Sequence, residues 1–438
     1  MKASIKKASV FTKAALAAAA AGAVALVPAA AAQAASVNVP CTGPGGGTGG
    51  LIAAINTVSA AGGGSVNLAS SCVYNLSAAD NLNPSGNNGL PIITKTISIN
   101  GSNTVINANQ PMTNKFRILE VDAPGSLSLN GLTLTGGWAP VGGALLNNEG
   151  TLSLTNVVVK NNTANMGGGG IASGVLNPQH TKPAGTLTIN NSKVNANTAM
   201  SNMGGGGGGI LNRAGTMTIN SSQVNNNVSG GGGGGIANGT GGLSGGGALN
   251  LSNSCVCGNT SNGGPDAGAG GIANGGTAQI TNTSVNTNKA PGAAGGGILN
   301  HGSMTITNGQ VNWNKAVTDM SSHVGFGGGI ANVDTNGLTG GTSPSGVLQL
   351  KGTQVEGNQA SGFGGGIVEA GLDSMGNPSA PGSALMLSSA TVTGNAAGID
   401  GGAIWATAGS PVTATSSTIN SNTPDNCVPL GSVPGCVG

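Results

Sequence analysis

A single repeated motif runs through most of this 438-residue chain. Each copy has a cluster of glycines followed by an apolar residue, called the anchor below, and six of the nine copies place an asparagine two positions after the anchor. The anchors recur every 26 to 39 residues, and they are Leu145, Ile171, Ile210, Ile236, Ile272, Ile298, Ile330, Ile367 and Ile404. A repeat of this length cannot bury its apolar side chains alone, so successive copies must stack as the coils of a solenoid.

A second motif follows each anchor and never changes in length. TLTINNSKVNAN at 186–197 and TMTINSSQVNNN at 216–227 are two copies, and eight positions always separate the second apolar residue from the final asparagine. Apolar and polar residues alternate, which is typical of a β-strand with one buried face. The final asparagines are expected to stack into a ladder of side-chain amides with one rung per coil. They are Asn162, Asn197, Asn227, Asn259, Asn288, Asn314, Asn358, Asn395 and Asn422.

A second series of asparagines lies two residues after the anchors. It is expected to form another amide ladder, interrupted at Ser173, Glu369 and Ala406. Its members are Asn147, Asn212, Asn238, Asn274, Asn300 and Asn332. The two or three glycines before each anchor are interpreted as structural, because a corner between stacked coils needs positive backbone φ angles and has no room for side chains.

The first 34 residues have the pattern of a secretory signal peptide. Four lysines in the first 13 positions precede an alanine-rich apolar run at 14–32, and Ala-Gln-Ala at 32–34 is a small-x-small cleavage pattern. We therefore expect a secreted or cell-surface protein without a membrane span in the mature chain. Charged residues make up only 6% of the sequence, and no basic patch remains that would bind nucleic acid.

Six cysteines in a secreted chain can all be paired. Cys41 with Cys72 would cross-link the N-terminal region, and Cys427 with Cys436 would close a small loop near the other end. The remaining two cysteines are separated by a single residue in an expected strand, where their side chains share a face but a disulfide is geometrically demanding. A structural role is favoured over a redox or metal-binding one for this pair, Cys255 and Cys257.

The GGAI tetrapeptide at Gly401–Ile404 and the V-x-x-N sequences of the second motif resemble the paired tetrapeptides of the polymorphic outer membrane protein repeat family, although Val stands where that family has Phe. Over Ser65–Asn422 the chain is similar to the right-handed parallel β-helix superfamily of pectate lyases and surface adhesins. The resemblance implies an all-β fold, a right-handed parallel β-helix (β-solenoid). Counting the repeats gives about eleven coils.

The chain divides into a cap, divergent coils, regular coils and a second cap. After the signal peptide at 1–34, residues 35–64 are expected to form an N-terminal cap, because 51–61 has helical periodicity and can cover the open apolar end of the solenoid. Residues 65–140 keep the strand alternation with irregular spacing and are expected to form the first coils. Residues 141–423 hold the regular repeats, and 424–438 form a C-terminal cap with its cysteine pair.

Few residues carry recognisable chemistry. Glu120 and Asp122 are the only pair of carboxylates close in sequence, and their i, i+2 spacing places both on one face of a strand, where they are candidates for calcium binding or catalysis. The alternative is a solvated outer face on which they pair with Arg117. No other cofactor is expected. The three histidines, His180, His301 and His323, form no recognisable motif.

Aromatic residues are scarce, at 2% of the chain, and three of them are candidates for stacking on a sugar ring: Trp138, Trp313 and Phe326. The favoured function is a secreted, non-catalytic adhesion or binding module for an extracellular polysaccharide or a cell-surface component. One alternative is a secreted polysaccharide lyase or glycoside hydrolase. A third is a structural cell-envelope protein that associates side by side through the positions after the anchors, Leu146, Ala172, Leu211 and Ala237.

Overall fold

The computed structural model describes residues 34–109, 114–174, 185–201, 206–239, 246–263, 268–319, 323–334, 346–372, 378–380 and 384–436. The expected signal peptide, up to residue 33, lies outside the described residues, as does most of the sequence inserted between coils. His180 falls in one of these segments.

The described chain forms a parallel β-helix whose wall consists of four stacks of strands. Stacks 1 and 2 belong to one sheet of 23 strands, stack 3 is a sheet of nine strands, and stack 4 belongs to a sheet of twelve. Each strand pairs in parallel with its counterpart on the next coil, as Ile171–Ser173 does with Ile210–Asn212. The all-β, parallel β-helical fold expected from the repeat is confirmed, and stack 4 carries one strand on each of eleven successive coils.

The bounds of the strands follow stack by stack. Stack 1 consists of Ala35–Val39, Gly63–Leu68, Thr96–Ala108, Ser126–Thr135, Thr151–Thr155, Thr186–Asn190, Thr216–Asn220, Ala248–Ser252, Thr277–Thr281, Ser303–Thr307, Val347–Lys351, Ala384–Ser388 and Val412–Thr415. Stack 2 consists of Val73–Leu76, the second halves of Thr96–Ala108 and Ser126–Thr135, Val158–Lys160, Lys193–Asn195, Gln223–Asn225, Cys255–Cys257, Ser284–Asn286, Gln310–Asn312, Gln354–Glu356, Thr391–Thr393 and Thr418–Asn420.

Stacks 3 and 4 complete the wall. Stack 3 consists of Trp138–Val141, Thr163–Gly167, Thr198–Ala199, Val228–Ser229, Thr260–Ser261, Lys289–Pro291, Lys315–Val317, Gln359–Ala360 and Ala396–Ala397. Stack 4 consists of Leu119–Asp122, Leu145–Asn148, Ile171–Ser173, Ile210–Asn212, Ile236–Asn238, Ile272–Asn274, Ile298–Asn300, Ile330–Asp334, Ile367–Leu372, Ile404–Ala406 and Cys427–Val428. Pro378–Ala380 pairs antiparallel with Ile367–Leu372, and Gly232–Gly233 pairs with Gly268–Ala269.

A helix, Gly47–Ala60, covers the N-terminal end of the apolar core. It begins four residues before the helical pattern of the sequence, and its buried side chains Leu51, Ile55 and Val58 join the same core cluster as the strands. The helix packs on the first two strands of stack 1. The expected helical cap is therefore confirmed.

The glycines before each anchor are structural because a side chain at any of them would contact neighbouring backbone or the amide ladder. At the third copy, a Cβ on Gly207 would contact the Ile210 carbonyl, and one on Gly208 would contact the Gly234 carbonyl of the next coil. A Cβ on Gly209 would lie 2.9 Å from the side-chain amide of Asn227. Six consecutive glycines here thus end in three positions that only glycine can fill.

The same glycine corners correct the expectation of side-by-side association. Leu146, Ala172, Leu211 and Ala237 are at most 4% exposed and cluster with one another. The corner folds over them, since a Cβ on Gly168 would lie 2.9 Å from the Ala172 Cβ. Side chains that the chain itself covers cannot form an interface between rods, so the proposed contact positions are wrong.

Both asparagine series form hydrogen-bonded ladders inside the wall. In the first, Asn162 Nδ2 donates to Asn197 Oδ1 at 3.0 Å, and the same bond repeats between consecutive rungs as far as Asn422. In the second, Asn147 Nδ2 donates to Ser173 Oγ at 3.1 Å, and Asn332 Nδ2 donates to Glu369 Oε2 at 2.6 Å. Ser173 and Glu369 each accept a bond from the rung before them, but the ladder is interrupted there as expected. Asn212 Oδ1, on the coil after Ser173, has no hydrogen-bond partner within the described chain, and Ala406, on the coil after Glu369, has no amide.

Three disulfides are present in the described chain. Cys41 is joined to Cys72 and Cys427 to Cys436, as the sequence predicted. The remaining cysteines, Cys255 and Cys257, are joined to each other.

Candidate functional site on the outer face of the long sheet

The outer face of stack 1 is polar but almost uncharged. Along six consecutive coils, from Thr151–Thr155 to Ser303–Thr307, alternate residues point outward, and every one is Thr, Ser, Asn or Gln except Ala248. The residues between them, such as Leu187 and Ile189, are fully buried. Stacking the coils thus lines up hydroxyl and amide groups in straight rows, spaced by the strand separation of about 4.8 Å.

A third ladder, which the sequence analysis missed, fixes the angle between stacks 1 and 2. Ser192 N donates to Ser222 Oγ at 3.1 Å, Ser222 N donates to Ser254 Oγ at 3.0 Å, and Ser254 N donates to Thr283 Oγ1 at 3.3 Å. The signal was a serine or threonine recurring two positions before the buried valine of stack 2. Because each turn is bonded to the next, the outer face of the two stacks is held rigid.

Trp313 is the exposed aromatic residue beside this face. It lies in the turn between Gln310–Asn312 of stack 2 and Lys315–Val317 of stack 3, and its side chain is 57% exposed. Its φ angle is +58°, in the left-handed region that bulky residues rarely adopt. The equivalent turn position has a positive φ on every regular coil, including Ala196, Gly258 and Thr287, so the angle is imposed by the repeat.

A glycine on the next coil makes room for the Trp313 ring. A Cβ on Gly357 would lie 2.5 Å from the ring atoms Cε3 and Cζ3, so the ring covers the Gly357 backbone. Trp313 N also donates to the Glu356 carbonyl at 2.9 Å, and Asn312 Oδ1 accepts from Glu356 N at 3.1 Å. The indole is therefore anchored to the next coil on one side while more than half of it faces solvent.

Amides border Trp313 on one side and positive charge on the other. Stack 2 places Asn312 in register with Asn286, and Asn312 N donates to Asn286 Oδ1 at 3.0 Å. Stack 3 places Lys315 in register with Lys289, and both lysines are exposed. Like charges on adjacent strands repel each other slightly. A ligand that accepts hydrogen bonds from both ammonium groups would relieve this repulsion.

The other two aromatic candidates are less accessible. Trp138 begins the first strand of stack 3 and is partly exposed, but Lys115 Nζ lies 4.3 Å from its ring centroid and covers one face. Phe326 is 4% exposed and packs in an apolar cluster with Leu299 and Ala331. Because its ring lies inside this cluster, the sequence-based choice of Phe326 as a stacking platform is wrong.

Glu120 lies in a buried ion pair instead of on a solvated face. Its carboxylate accepts from Arg117 Nη1 at 2.7 Å and from Asn88 Nδ2 at 2.9 Å, with further bonds from Asn83 and Ser85, and both charged side chains are fully buried. The expected pairing with Arg117 is present, but the expected exposure is wrong, because residues 80–90 fold over the pair. Burial raises the pKa of Glu120, an effect that the Arg117 guanidinium opposes.

The hydrogen-bond donors around Glu120 are incompatible with a calcium ion at this carboxylate. Calcium takes oxygen ligands, whereas the Glu120 oxygens are already occupied by a guanidinium, two amides and a hydroxyl. Asp122 is partly exposed and accepts from Asn148 Nδ2 at 3.1 Å. Among the described residues, no group of three His, Cys, Asp or Glu side chains could hold a metal ion.

The histidines and the remaining acids of the described chain form no single cluster: His323 pairs with Asp319, and Asp400 lies beside Asp425. His323 Nδ1 lies 2.9 Å from Asp319 Oδ2 in an exposed turn. His301 Nδ1 lies 3.3 Å from the Val333 carbonyl, and burial lowers its pKa. Glu369 accepts a bond from the rung before it in the second ladder, and Asp373 lies outside the described residues. These groups do not converge with Glu120 on one catalytic face.

A shallow depression of about 450 Å³ interrupts the same long sheet in the early coils. Its lining includes Ser102, Asn103, Asn130 and Asn156, and no lining residue is charged or aromatic. It can offer amide and hydroxyl hydrogen bonds but no stacking surface.

Comparisons with known proteins add little to this description. No protein-family model matches the chain, and no curated protein matches it. A solved structure of pectate lyase Pel9A is similar over 90% of this chain and 78% of that chain, with 15% identity and a TM-score of 0.33. The fold assignment above therefore rests on the strand pairing. Within the described ranges, no helix is long and apolar enough to cross a bilayer.

Proposed function

We propose that this protein is a secreted, non-catalytic β-helix that binds an extracellular polysaccharide beside the outer face of stack 2, with Trp313 as its stacking platform. The observation that carries the proposal is the indole of Trp313, which is exposed to solvent and packs against the Gly357 backbone. The left-handed backbone itself belongs to the repeat, since the equivalent turn position has a positive φ on every regular coil from Asn161 to Ser421. The large exposed ring at this position is what sets Trp313 apart.

The surroundings of Trp313 suit a sugar ring. The apolar face of a pyranose stacks on an aromatic ring, while its hydroxyls need donors and acceptors at the edge. Amide side chains provide both, and Asn286 is partly exposed next to the turn. Its in-register neighbour Asn312 is 8% exposed and its Oδ1 already accepts from Glu356 N, so Asn312 supports Asn286 instead of facing a ligand. The rows of threonine and asparagine on stack 1 extend this hydroxyl- and amide-rich surface along the coils.

Secretion is supported by the N-terminal signal pattern and by the three disulfides, because disulfides persist in oxidising compartments. A polymer outside the cell is then the partner with enough length to follow a surface built from repeats.

The test is binding of the full secreted chain to a panel of insoluble and soluble polysaccharides: cellulose, chitin, xylan, mannan and polygalacturonate. Pull-down and affinity electrophoresis measure binding, and quenching of tryptophan fluorescence reports contact with the ring. For the polymer that binds, Trp313→Ala should weaken binding about tenfold, the loss expected from one stacked ring.

Trp138→Ala is the matched control and should bind as the wild type does, because Lys115 already covers one face of that ring. Equal binding by wild type and Trp313→Ala would remove Trp313 as the platform. Release of new reducing ends or unsaturated products from any polymer would overturn the non-catalytic assignment in favour of a lyase or hydrolase.

A further inference from the structure

The disulfide between Cys255 and Cys257 lies within one strand of stack 2. Both side chains are partly exposed on the outer face, and Val256 between them points into the core. The strands on either side carry polar residues at the same positions: Gln223 and Asn225 on one coil, Ser284 and Asn286 on the other. The cysteine pair thus replaces one rung of a hydrogen-bonding surface.

This disulfide cannot stabilise the fold in the way the other two do. It joins residues only two positions apart, whereas Cys41–Cys72 spans 31 positions and Cys427–Cys436 spans nine. The stabilisation that a disulfide provides by restricting the unfolded chain decreases as the closed loop shortens. Cys72 and Cys427 are also buried in the core, whereas Cys255 and Cys257 lie outside it. The bond connects no two coils.

The surroundings leave the pair open to a reagent. Cys257 Sγ lies 3.8 Å from the Ser284 carbonyl oxygen, and Cys257 N donates to Asn225 Oδ1 at 3.2 Å. The next residue, Gly258, has a positive φ angle and no side chain to cover the sulfur. Breaking the bond would remove no core contact, because the flanking backbone is held by parallel pairing on both sides and by the buried Val256.

We propose that Cys255 and Cys257 form a redox-active thiol–disulfide exchange site on the surface of the β-helix, with a thiol or dithiol as co-reactant. A thiolate of the co-reactant attacks one sulfur, the Cys255–Cys257 bond breaks, and a mixed disulfide forms while the other cysteine leaves as a thiolate. A second thiol, from the same dithiol or from a second monothiol molecule, then attacks the co-reactant's sulfur in the mixed disulfide and displaces the first cysteine as a thiolate. Two electrons and two protons pass to the cysteine pair, and the co-reactant becomes a disulfide. Cys257 is in register with Asn286, so the pair borders the proposed sugar surface, but the exchange reaction requires no polysaccharide.

The first test needs no variant. The native full chain is equilibrated in glutathione buffers of increasing reduced fraction, quenched with acid and labelled with a polyethylene-glycol maleimide. We expect two labels per chain to appear while the other four cysteines stay oxidised, with mass spectrometry placing both on Cys255 and Cys257 and with the circular dichroism unchanged. Labelling of all six cysteines together, or of another pair first, would overturn the proposal.

The second test measures exchange with dithiothreitol as the dithiol, followed by the absorbance of its oxidised ring. The wild type should oxidise about one equivalent rapidly, and Cys255→Ser/Cys257→Ser should react about tenfold more slowly. Cys427→Ser/Cys436→Ser is the control and should keep the fast phase. An unchanged fast phase in the Cys255→Ser/Cys257→Ser variant, or a large fall in its melting temperature, would show that the pair is structural.

Discussion

The first coils and the regular coils bury polar groups in different ways. In the regular coils, most of the buried ladder asparagines donate to the equivalent asparagine on the next coil, as Asn227 does to Asn259. In the first coils, the buried polar centre is the Arg117–Glu120 ion pair, bonded to residues 83–88. A side-chain amide is both donor and acceptor, so identical rungs satisfy one another. A coil without a matching neighbour needs two complementary groups instead.

The charged centre of the first coils should be the more sensitive of the two. Glu120→Gln leaves the Arg117 charge buried without its partner, and we expect a loss of about 3–5 kcal/mol in local stability. Hydrogen exchange of the amides in Leu119–Asp122 and in residues 80–90 measures it, because coils of a solenoid can open separately.

A double variant separates the charge from the packing. Arg117→Met/Glu120→Met removes both charges while filling similar volume, and it should regain most of the protection lost in Glu120→Gln. If Glu120→Gln changes the free energy of local opening, as measured by hydrogen exchange, by less than about 1 kcal/mol, the ion pair does not hold residues 80–90 in place. The contrast with the regular coils would then fail.

The uncharged ladder of the regular coils should respond less strongly. Asn227 bonds through both side-chain atoms: Nδ2 donates to Asn259 and to the Val194 carbonyl, and Oδ1 accepts from Asn197. Asn227→Ala leaves buried partners unsatisfied, and about 2–3 kcal/mol of local stability should be lost. Urea denaturation combined with hydrogen exchange measures the loss.

Gln223→Ala is the matched control, because Gln223 is exposed on the outer face of the same coil. It should change stability by no more than about 0.5 kcal/mol. Equal effects of the two substitutions would mean that the ladder contributes no more than an ordinary surface residue.

The smallest effect is expected at the last coil, where the regular repeat ends in a pair of carboxyl groups. Gly401 N donates to Asp400 Oδ1 at 3.2 Å and to Asp425 Oδ1 at 3.1 Å. Desolvation raises the pKa of Asp425, and the hydrogen bond and charge of Asp400 raise it further. The protonated form is therefore favoured by folding, and the stability that it contributes is present at low pH and lost as the pH rises through the folded-state pKa.

Asp425→Asn should remove this dependence. Above the pKa of Asp425, we expect the free energy of unfolding of the variant to exceed that of the wild type by a few tenths of a kcal/mol, and below it we expect no difference. The effect is small because the carboxyl group is partly exposed and solvent screens the repulsion. Melting temperatures of both proteins across the acidic range measure the difference. A larger gain for the variant at low pH than at neutral pH would contradict the assigned direction.

The features that repeat could be predicted from the sequence. The parallel β-helix, its helical cap and the stacking of Asn162 to Asn422 follow from periodicity, because a residue at a fixed place in each copy meets its own counterpart on the next coil. The cysteine pairs Cys41–Cys72 and Cys427–Cys436 were predicted as well. The serine and threonine ladder from Ser192 to Thr283 had the same kind of signal and was overlooked.

The features that do not repeat depended on the tertiary structure. Periodicity showed that Leu146 and Ala172 directly follow their anchors and so point away from the core. Only the folded glycine corner shows that they are covered. The burial of Glu120 depends on residues 80–90, and that of Phe326 on an apolar cluster drawn from several coils.

Local spacing was therefore enough to determine which residues stack, since stacking joins equivalent positions. What covers a residue, and which side chains stay open to a ligand, depended on contacts between unlike positions distant in sequence. Trp313 is the clearest case. Its place in the turn could be read from the repeat, whereas its fixed, exposed ring depends on Gly357 in the next coil, where the absence of a side chain makes room for the indole.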